Sequence, residues 1–241
     1  MLEWTDEGVV LAVRPHGESG AVVALLTERH GRHAGFVRGG QGRQLRPVLQ
    51  PGNGVSATWS ARLAEHMGNL SLELTAAHAA RYLDDRVRLA VLASAAAVCD
   101  QALPEREPHP ACYHGLLALI EALAGTHWAA AYVQWELLLL RDLGYGLDLE
   151  RCAAGGANDQ LAYVSPRTGR AVSLSAGEPY AERLLPLPGF LVGRGEGGAE
   201  EIVSGLQLTS HFLAQYVFHP QNRDLPAARK RLTAALGPRA T

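Results

Sequence analysis

The chain has 241 residues, of which 47% are hydrophobic, and a formal net charge of −2. This apolar content excludes a disordered polypeptide and suffices for one large packed domain or two small ones. The longest apolar run, near residues 90–98, is too short to span a bilayer, and three scattered cysteines form no disulfide framework. Because the first residues, MLEWTDEG, also lack the basic segment of a signal peptide, we expect a cytoplasmic protein.

Five short segments in the first 80 residues have the apolar or alternating pattern of β-strands. They are Gly8–Arg14, Gly20–Thr27, Arg32–Gly39, Gly54–Leu63 and Gly68–Thr75. In the fourth segment Trp59 shares a face with Val55, Ala57 and Ala61, so we expect Trp59 in the core. Five closely spaced strands with glycine-bearing turns predict a small barrel of the OB-fold type.

From about Arg81 the apolar spacing becomes helical. The predicted helices are Tyr82–Leu103, Ala111–Gly125, His127–Gly144, Ile202–His219 and Pro226–Leu236, with a short hairpin at Ala157–Ser175. The sequence therefore predicts an α+β chain: an OB-fold domain over residues 1–80, then a mostly helical domain over 81–241. The hairpin, near residues 152–177, is an insertion in the second domain.

Positive charge is concentrated in one part of the predicted barrel. The interval 29–64 contains no Asp or Glu and six arginines: Arg29, Arg32, Arg38, Arg43, Arg46 and Arg62. A local patch matters more for binding than the total charge, because salt screens surface charges beyond about 8–10 Å. The pattern fits a phosphate-binding surface, and it equally fits a solvated face whose arginines pair with acids from elsewhere in the chain.

Several catalytic and metal-binding motifs are excluded. The chain has one lysine, Lys230, and no Gly-Lys-Ser/Thr, so it contains no Walker A motif. The sequence GRGEGG matches the dinucleotide-binding motif G-x-G-x-x-G. That motif must follow a β-strand, and the prolines before GRGEGG prevent a strand there, so we interpret this segment as a loop. His109, Cys112 and His114 lie within six residues, yet no second cluster completes a zinc site, so we interpret them as a helix start.

The segment RCAAGGANDQLAYVSPRTGRAVSLSAG has the layout of a zinc ribbon without its metal ligands. A ribbon carries C-x-x-C on each of two turns that flank a hairpin. Here the four positions are Cys152, Gly155, Ser173 and Ala176. One thiolate cannot hold a structural zinc ion, so we expect no metal and no other cofactor, with the hairpin held by residues such as Leu161, Tyr163 and Val172.

Taken in order, several motifs resemble those of the RecO family of bacterial recombination mediators. They are DEGVVLAVRPHGES, LLTERHGRHAGFVRGG and LQPG near the start, WELLLLRDLGYGLDLERCAAGG in the helical region, and GLQLTSHFLAQYVFHPQNRDLPAARKRL near the end. The resemblance covers essentially the whole chain. It implies an OB-fold followed by a helical domain with a zinc-finger-like insertion, and this chain departs from it at three of the four zinc ligands.

The resemblance also implies a function without bond chemistry. Members of the family bind single- and double-stranded DNA, anneal complementary strands, and act with RecR and single-stranded DNA-binding protein to load RecA in gap repair. We therefore expect a DNA-binding protein that is not an enzyme. The alternative is a protein adaptor that barely touches DNA, which the net negative charge favours.

An OB barrel binds single strands through a basic groove and exposed aromatic rings. On the third strand Ala34, Phe36 and Arg38 share one face and His33, Gly35 and Val37 the other, so Phe36 is either a stacking platform or a core residue. The predicted DNA-binding residues are Arg29, Arg32, Phe36, Arg38, Arg43, Arg46 and Arg62. The segment RGGQGRQLR is expected to be a flexible loop, and the basic residues Arg229, Lys230 and Arg231 are the reserve candidates.

The resemblance implies that the helical domain receives the acidic, apolar C-terminal tail of single-stranded DNA-binding protein. Such a tail needs an apolar pocket rimmed by cations. Trp128, Tyr132 and Trp135, on the helix Trp128–Arg141, are the candidate wall of this pocket, unless they belong to the core.

Overall fold

The computed structural model describes residues 1–155 and 160–237. The chain forms two compact units, Met1–Leu116 with Pro226–Leu232, and Leu117–Leu225 with Thr233–Thr241. The predicted α+β class is confirmed. The domain division at residue 80 stays a prediction. No helix in the described residues combines the length and the apolar character needed to cross a membrane.

The first unit contains the predicted five strands, which close into a barrel in the order β1-β2-β3-β5-β4. Their bounds are β1 (Leu2–His16), β2 (Gly20–Thr27), β3 (Gly31–Val37), β4 (Gly54–Ala61) and β5 (Asn69–Ala76). The pairing of β3 with β5 is parallel and every other pairing is antiparallel. This closed five-stranded arrangement confirms the predicted OB-fold.

Strand β1 is longer than its apolar pattern predicted, because it serves two neighbours. Its first half, Leu2–Val9, pairs with β4, and its second half, Gly8–His16, pairs with β2. The register shifts between Val10 and Ala12, and a bulge of this kind bends a strand. The bend allows one strand to join both edges of the sheet and so to close the barrel.

The barrel interior is filled by alternate residues of the strands. In β4, Val55, Ala57, Trp59 and Ala61 are buried, and Trp59 is only 3% exposed, which confirms its predicted core position. The indole nitrogen of Trp59 donates a hydrogen bond of 2.8 Å to the carbonyl oxygen of Met67.

A cluster of two tryptophans and two histidines lies at one end of this interior. The ring of Trp4 stacks on His30 at 4.0 Å between centroids, and His33 meets Trp4 and Trp59 edge-on at 5.0 and 4.9 Å. His33 is 4% exposed, and neither of its ring nitrogens has a hydrogen-bond partner within residues 1–155 and 160–237. Burial, reinforced by the positive charges of Arg106 and His30, lowers the pKa of His33 to about 4.

Helix α1 (Arg86–Ala102) belongs to the same unit and is tied to the barrel by ion pairs. It begins after Asp85, whose side chain accepts hydrogen bonds from two backbone amides of the first turn. Near its other end, buried Asp100 pairs with Arg14 and Arg32 of the barrel. Helix α2 (Pro110–Ala122) follows, so the helix start predicted around His109 and Cys112 is confirmed.

The remaining elements lie wholly or partly in the second unit. They are α3 (Trp128–Asp142), β6 (Leu161–Val164), β7 (Ala171–Ser173), α4 (Leu174–Gly177), β8 (Leu185–Pro186), α5 (Ala199–Phe212) and α6 (Ala227–Leu236). The helix α5 continues as a π-helix over Leu213–Phe218. Short 3₁₀ turns occupy Ala79–Tyr82, Glu178–Arg183, Gly189–Val192 and His219–Gln221. The G-x-G-x-x-G match precedes α5 and forms no strand-to-helix phosphate loop.

Of the three candidate pocket-wall residues on α3, Tyr132 and Trp135 belong to the core, which was the stated alternative, whereas Trp128 is half-buried. Tyr132 is 1% and Trp135 is 4% exposed, which leaves neither ring available to a peptide. The hydroxyl of Tyr132 donates to one carboxylate oxygen of buried Glu136 at 3.0 Å, and Thr209 of α5 donates to the other at 2.6 Å. These hydrogen bonds satisfy a carboxylate that would otherwise be costly to bury.

The hairpin β6–β7 is part of a small antiparallel sheet in the order β7-β6-β8. Cys152 and Ser173 face each other: the Ser173 amide donates to the Cys152 sulfur at 3.3 Å, and this thiol donates to the Ser173 hydroxyl at 3.4 Å. Gly155 and Ala176 offer no metal ligand, so these four positions do not fit a zinc ion. Leu161 and Val172 are buried. The predicted start of the hairpin at Ala157 lies outside the described residues.

We predict that the purified protein contains no stoichiometric zinc, because one thiol and one hydroxyl cannot replace four ligands. Elemental analysis measures this directly. The melting temperature should also be unchanged by a chelator, whereas a chelator unfolds domains that depend on structural zinc. About one zinc per chain, or a melting temperature lowered by the chelator, would contradict this account.

We predict that acid destabilises the barrel through His33. The folded protein binds a proton at His33 only near pH 4, whereas the unfolded chain binds it near 6.5, so stability is lost as the pH falls below 6.5. Between about pH 7 and pH 5 the loss should be about 2 kcal/mol. Urea unfolding of the wild type and His33→Phe at both pH values measures it. An equal acid loss in both proteins would show that His33 is not responsible.

Candidate nucleic-acid interface

The structure divides the six arginines of the acid-free interval into two groups. Two of them, Arg29 and Arg32, form ion pairs with acids from outside the interval. The other four, Arg38, Arg43, Arg46 and Arg62, are exposed and have no ion pair among the residues that the structure describes. The interpretation of arginines that pair with acids from elsewhere is therefore confirmed for Arg29 and Arg32, and the phosphate-binding interpretation stays a prediction for the other four.

Arg29 follows β2 and is held by the first strand. Its Nε lies 3.1 Å from an Asp6 carboxylate oxygen, and its Nη2 donates to the Thr5 carbonyl oxygen at 2.7 Å. Burial acts to raise the pKa of Asp6, but hydrogen bonds from His30 and Arg29 outweigh burial and lower it. Asp6 is therefore a carboxylate at neutral pH and neutralises much of the charge of Arg29.

Arg32 connects the barrel to α1. Its Nε donates to the Leu103 carbonyl oxygen at 2.8 Å, and its guanidinium lies 3.7 Å from Asp100 and 4.0 Å from Glu105. The side chain is 19% exposed. With two acids and a carbonyl around it, Arg32 is engaged in holding the fold and is a poor ligand for a phosphate.

Phe36 lies on the outer face of β3, as the alternation of this strand predicted, and Arg38 follows the strand as an exposed residue. His33, Gly35 and Val37 are buried, whereas Ala34 and Phe36 are half-buried on the outer face. The ring of Phe36 covers Gly20 of β2, where a Cβ atom would overlap it, and meets His16 edge-on at 5.8 Å. Phe36 is thus an outer-face ring with part of its surface open, and Arg38 is the first exposed residue after the strand.

The segment that carries Arg43 and Arg46 has no helix or strand, as expected of a loop, and consists of hydrogen-bonded turns. The amides of Arg46 and Leu49 donate to the carbonyl oxygens four residues before them, at 3.2 and 2.9 Å. Gln41 attaches the segment to the turn between β1 and β2, because its side-chain amide donates to the carbonyl oxygens of Gly17 and Gly20. These bonds hold both arginines on a defined backbone.

Arg62 lies after β4, at the start of the connection to β5. This connection is held by Arg106, a residue that sequence reasoning missed. The guanidinium of Arg106 donates to the carbonyl oxygens of Ala64 and His66 and lies 5.9 Å from the Trp59 ring. No local pattern marks Arg106, because its partners are some 40 residues earlier in the chain.

Burial removes one of the three reserve DNA-binding candidates near the C-terminal end. Arg229 is fully buried, so it is not available to a phosphate backbone. Lys230 and Arg231 are exposed on α6. The exposed basic residues of the barrel are therefore the better candidates, and Arg38, Arg43 and Arg46 lie within one short segment of it.

Comparisons with known proteins agree with this architecture. The family model described as Recombination protein O N terminal matches residues 1–77, and the model Recombination protein O C terminal matches residues 83–225. The chain is 60% identical over 232 residues to the DNA repair protein RecO of Rhodospirillum centenum, which covers 95% of this chain and 93% of the relative. It is 52% identical over 244 residues to the DNA repair protein RecO of Rhodospirillum rubrum, with 98% and 97% covered. Two matched halves and relatives of this similarity over nearly the full length show that the chain belongs to the RecO family of DNA repair and recombination proteins.

Proposed function

We propose that this protein is a non-catalytic mediator that binds single- and double-stranded DNA, anneals complementary strands and helps to load RecA in gap repair. One observation carries the proposal: three exposed arginines without ion pairs, Arg38, Arg43 and Arg46, directly follow the strand that presents Phe36. Cations neutralise the phosphate backbone and an aromatic ring can stack a base. Annealing needs no bond chemistry, because charge neutralisation lets two backbones approach and base pairing follows.

Fewer residues are proposed to contact DNA than the charge pattern alone suggested. Arg38, Arg43, Arg46 and Arg62 are the proposed phosphate ligands, and Phe36 is the proposed stacking ring. Arg29 and Arg32 are left out, because Asp6 and Asp100 already neutralise them and a phosphate would have to displace a carboxylate. The turns around Arg43 and Arg46 should also reduce the entropic cost of binding, since their backbone is ordered beforehand.

We predict that removing the free arginines weakens DNA binding and lowers its salt dependence. For single strands the slope of log affinity against log salt changes by about 0.7 for each phosphate contact. The Arg38→Ala variant should lose somewhat under one unit of slope, and Arg43→Ala with Arg46→Ala about twice as much. Binding of labelled oligo-dT across a salt series measures both values, with circular dichroism to verify folding.

Arg29→Ala is the matched control, because it removes one positive charge from the same interval. Since Asp6 pairs with Arg29, this variant should keep the slope of the wild type, apart from any loss of stability. If Arg29→Ala changes the salt slope as much as Arg38→Ala and the double variant do, the division into paired and free arginines does not determine which residues bind DNA. If the wild type binds no oligonucleotide even at low salt, the alternative of a protein adaptor replaces the proposal. The neutralisation of Arg29 and Arg32 and the net charge of −2 favour that alternative.

RecR and the tail of single-stranded DNA-binding protein are proposed partners, on family grounds. Because Tyr132 and Trp135 are buried, we assign no pocket on α3 to the tail. We predict saturable binding of a labelled tail peptide at low salt that weakens as salt increases, since an acidic peptide requires cations. A titration that stays linear at low salt would remove this partner from the proposal.

A further inference from the structure

A cleft of about 440 Å³ lies beside the barrel, wholly within the first compact unit. One side is the turn segment that carries Arg43 and Arg46, and the other is formed by the residues between the end of β5 and the first turn of α1. Its apolar lining is aliphatic and includes Leu74, Leu83 and Leu89. The proposed function uses Arg43 and Arg46 at its rim but not its leucines.

The leucines of the cleft are unusually open to solvent. Leu83 is 70% exposed and Leu74 is 40% exposed. Single exposed apolar residues are common, but leucines gathered in a concave site expose apolar surface that a partner could bury. Burying this surface is the main favourable contribution that the cleft can make to binding.

The charged side chains among the described residues that line the cleft are both positive. Arg43 and Arg46 line it, no Asp or Glu does, and neither arginine has an ion pair among the described residues. Two exposed acids, Glu73 and Asp84, are sequence neighbours of Leu74 and Leu83 but do not line the cleft. Asp85, the next acid, caps α1 and pairs with Arg88 at 2.5 Å. An occupant should therefore combine apolar groups with negative charge.

The chemistry of the walls favours a protein segment over a nucleobase. No aromatic ring lines the cleft, so a base would find nothing to stack on. The polar side chains are already bonded: Asn53 donates to the Pro47 carbonyl oxygen at 2.8 Å and accepts from the Ala79 amide at 3.0 Å. Gln50 donates to the Arg46 carbonyl oxygen at 2.7 Å. Aliphatic side chains of a protein segment need neither a stacking ring nor a hydrogen-bonding side chain.

We infer that this cleft is a docking site for an acidic protein segment with bulky aliphatic side chains. The aliphatic groups pack against Leu74, Leu83 and Leu89, and flanking carboxylates pair with Arg43 and Arg46. The site lies wholly in the first compact unit, whereas the pocket wall considered for the tail of single-stranded DNA-binding protein is on α3, in the second unit. One consequence rests on the proposed function: the segment and DNA compete for the same two arginines.

The test uses the full chain and a fluorescein-labelled peptide, Glu-Glu-Asp-Leu-Leu-Asp-Glu, with fluorescence polarisation as the readout. We expect saturable binding at low salt that weakens as salt increases. Leu83→Ser should weaken binding at least about tenfold, which is the effect of losing one well-buried leucine contact. Arg43→Ala with Arg46→Ala should weaken it similarly, and a peptide with serines in place of the leucines should not bind.

Leu174→Ser is the matched control, because Leu174 is 46% exposed but lies in the other compact unit. It should bind the peptide as the wild type does. Leu83→Asp is a second variant that should repel the acidic peptide more strongly than Leu83→Ser does. No saturable binding at low salt, or equal binding by wild type and Leu83→Ser, overturns the inference.

Competition with oligo-dT separates this site from the proposed DNA site. The peptide should displace the oligonucleotide from the wild type, while Leu83→Ser should keep its DNA affinity. If Leu83→Ser loses oligonucleotide binding instead, the cleft holds DNA and the docking inference is wrong. If peptide binding follows the expected pattern but oligo-dT never binds, the docking site stands and the DNA proposal fails.

Discussion

Closure of the barrel by β1 is the constraint on which the first unit depends. This strand pairs with β4 along its first half and with β2 along its second, and the shift between Val10 and Ala12 provides the bend. Closure leaves no open sheet edge and fixes an inside and an outside for every strand. The outward position of Phe36 and the inward position of Trp59 both follow from it.

The acids that neutralise part of the basic interval come from this framework. Asp6 lies on β1 and binds Arg29 and His30, and Asp100 lies on α1 and binds Arg14 and Arg32. In these ion pairs the charges of the basic side chains stabilise the fold. Among the described residues of the basic interval, the exposed arginines without ion pairs are Arg62 and those of a positive segment from Arg38 to Arg46, which adjoins both an outer-face aromatic ring and an aliphatic cleft. We propose that this one segment serves two kinds of ligand.

Local periodicity predicted the parts of the fold that depend on neighbouring residues. The alternation in Gly54–Leu63 placed Trp59 inside, and the alternation in β3 placed Phe36 outside. Pairings between distant residues could not be predicted in this way. Arg29 meets Asp6 across 23 residues and Arg32 meets the Leu103 carbonyl across 71, so no sequence window contains both partners. For the same reason the burial of Arg229, and the absence of a hydrogen-bond partner for the His33 ring nitrogens among the described residues, became visible only in the folded chain.

The central claim is that single-stranded DNA lies against Phe36 and the segment from Arg38 to Arg46. Photocrosslinking of the full chain to a bromodeoxyuridine oligonucleotide, followed by peptide mass spectrometry, tests this claim directly, because crosslinks form only where a base touches the protein. The account predicts crosslinks at Phe36 or within the tryptic peptides that contain residues 36–46, and their loss in the Arg43→Ala, Arg46→Ala variant. Crosslinks found only in peptides from the second compact unit would contradict it.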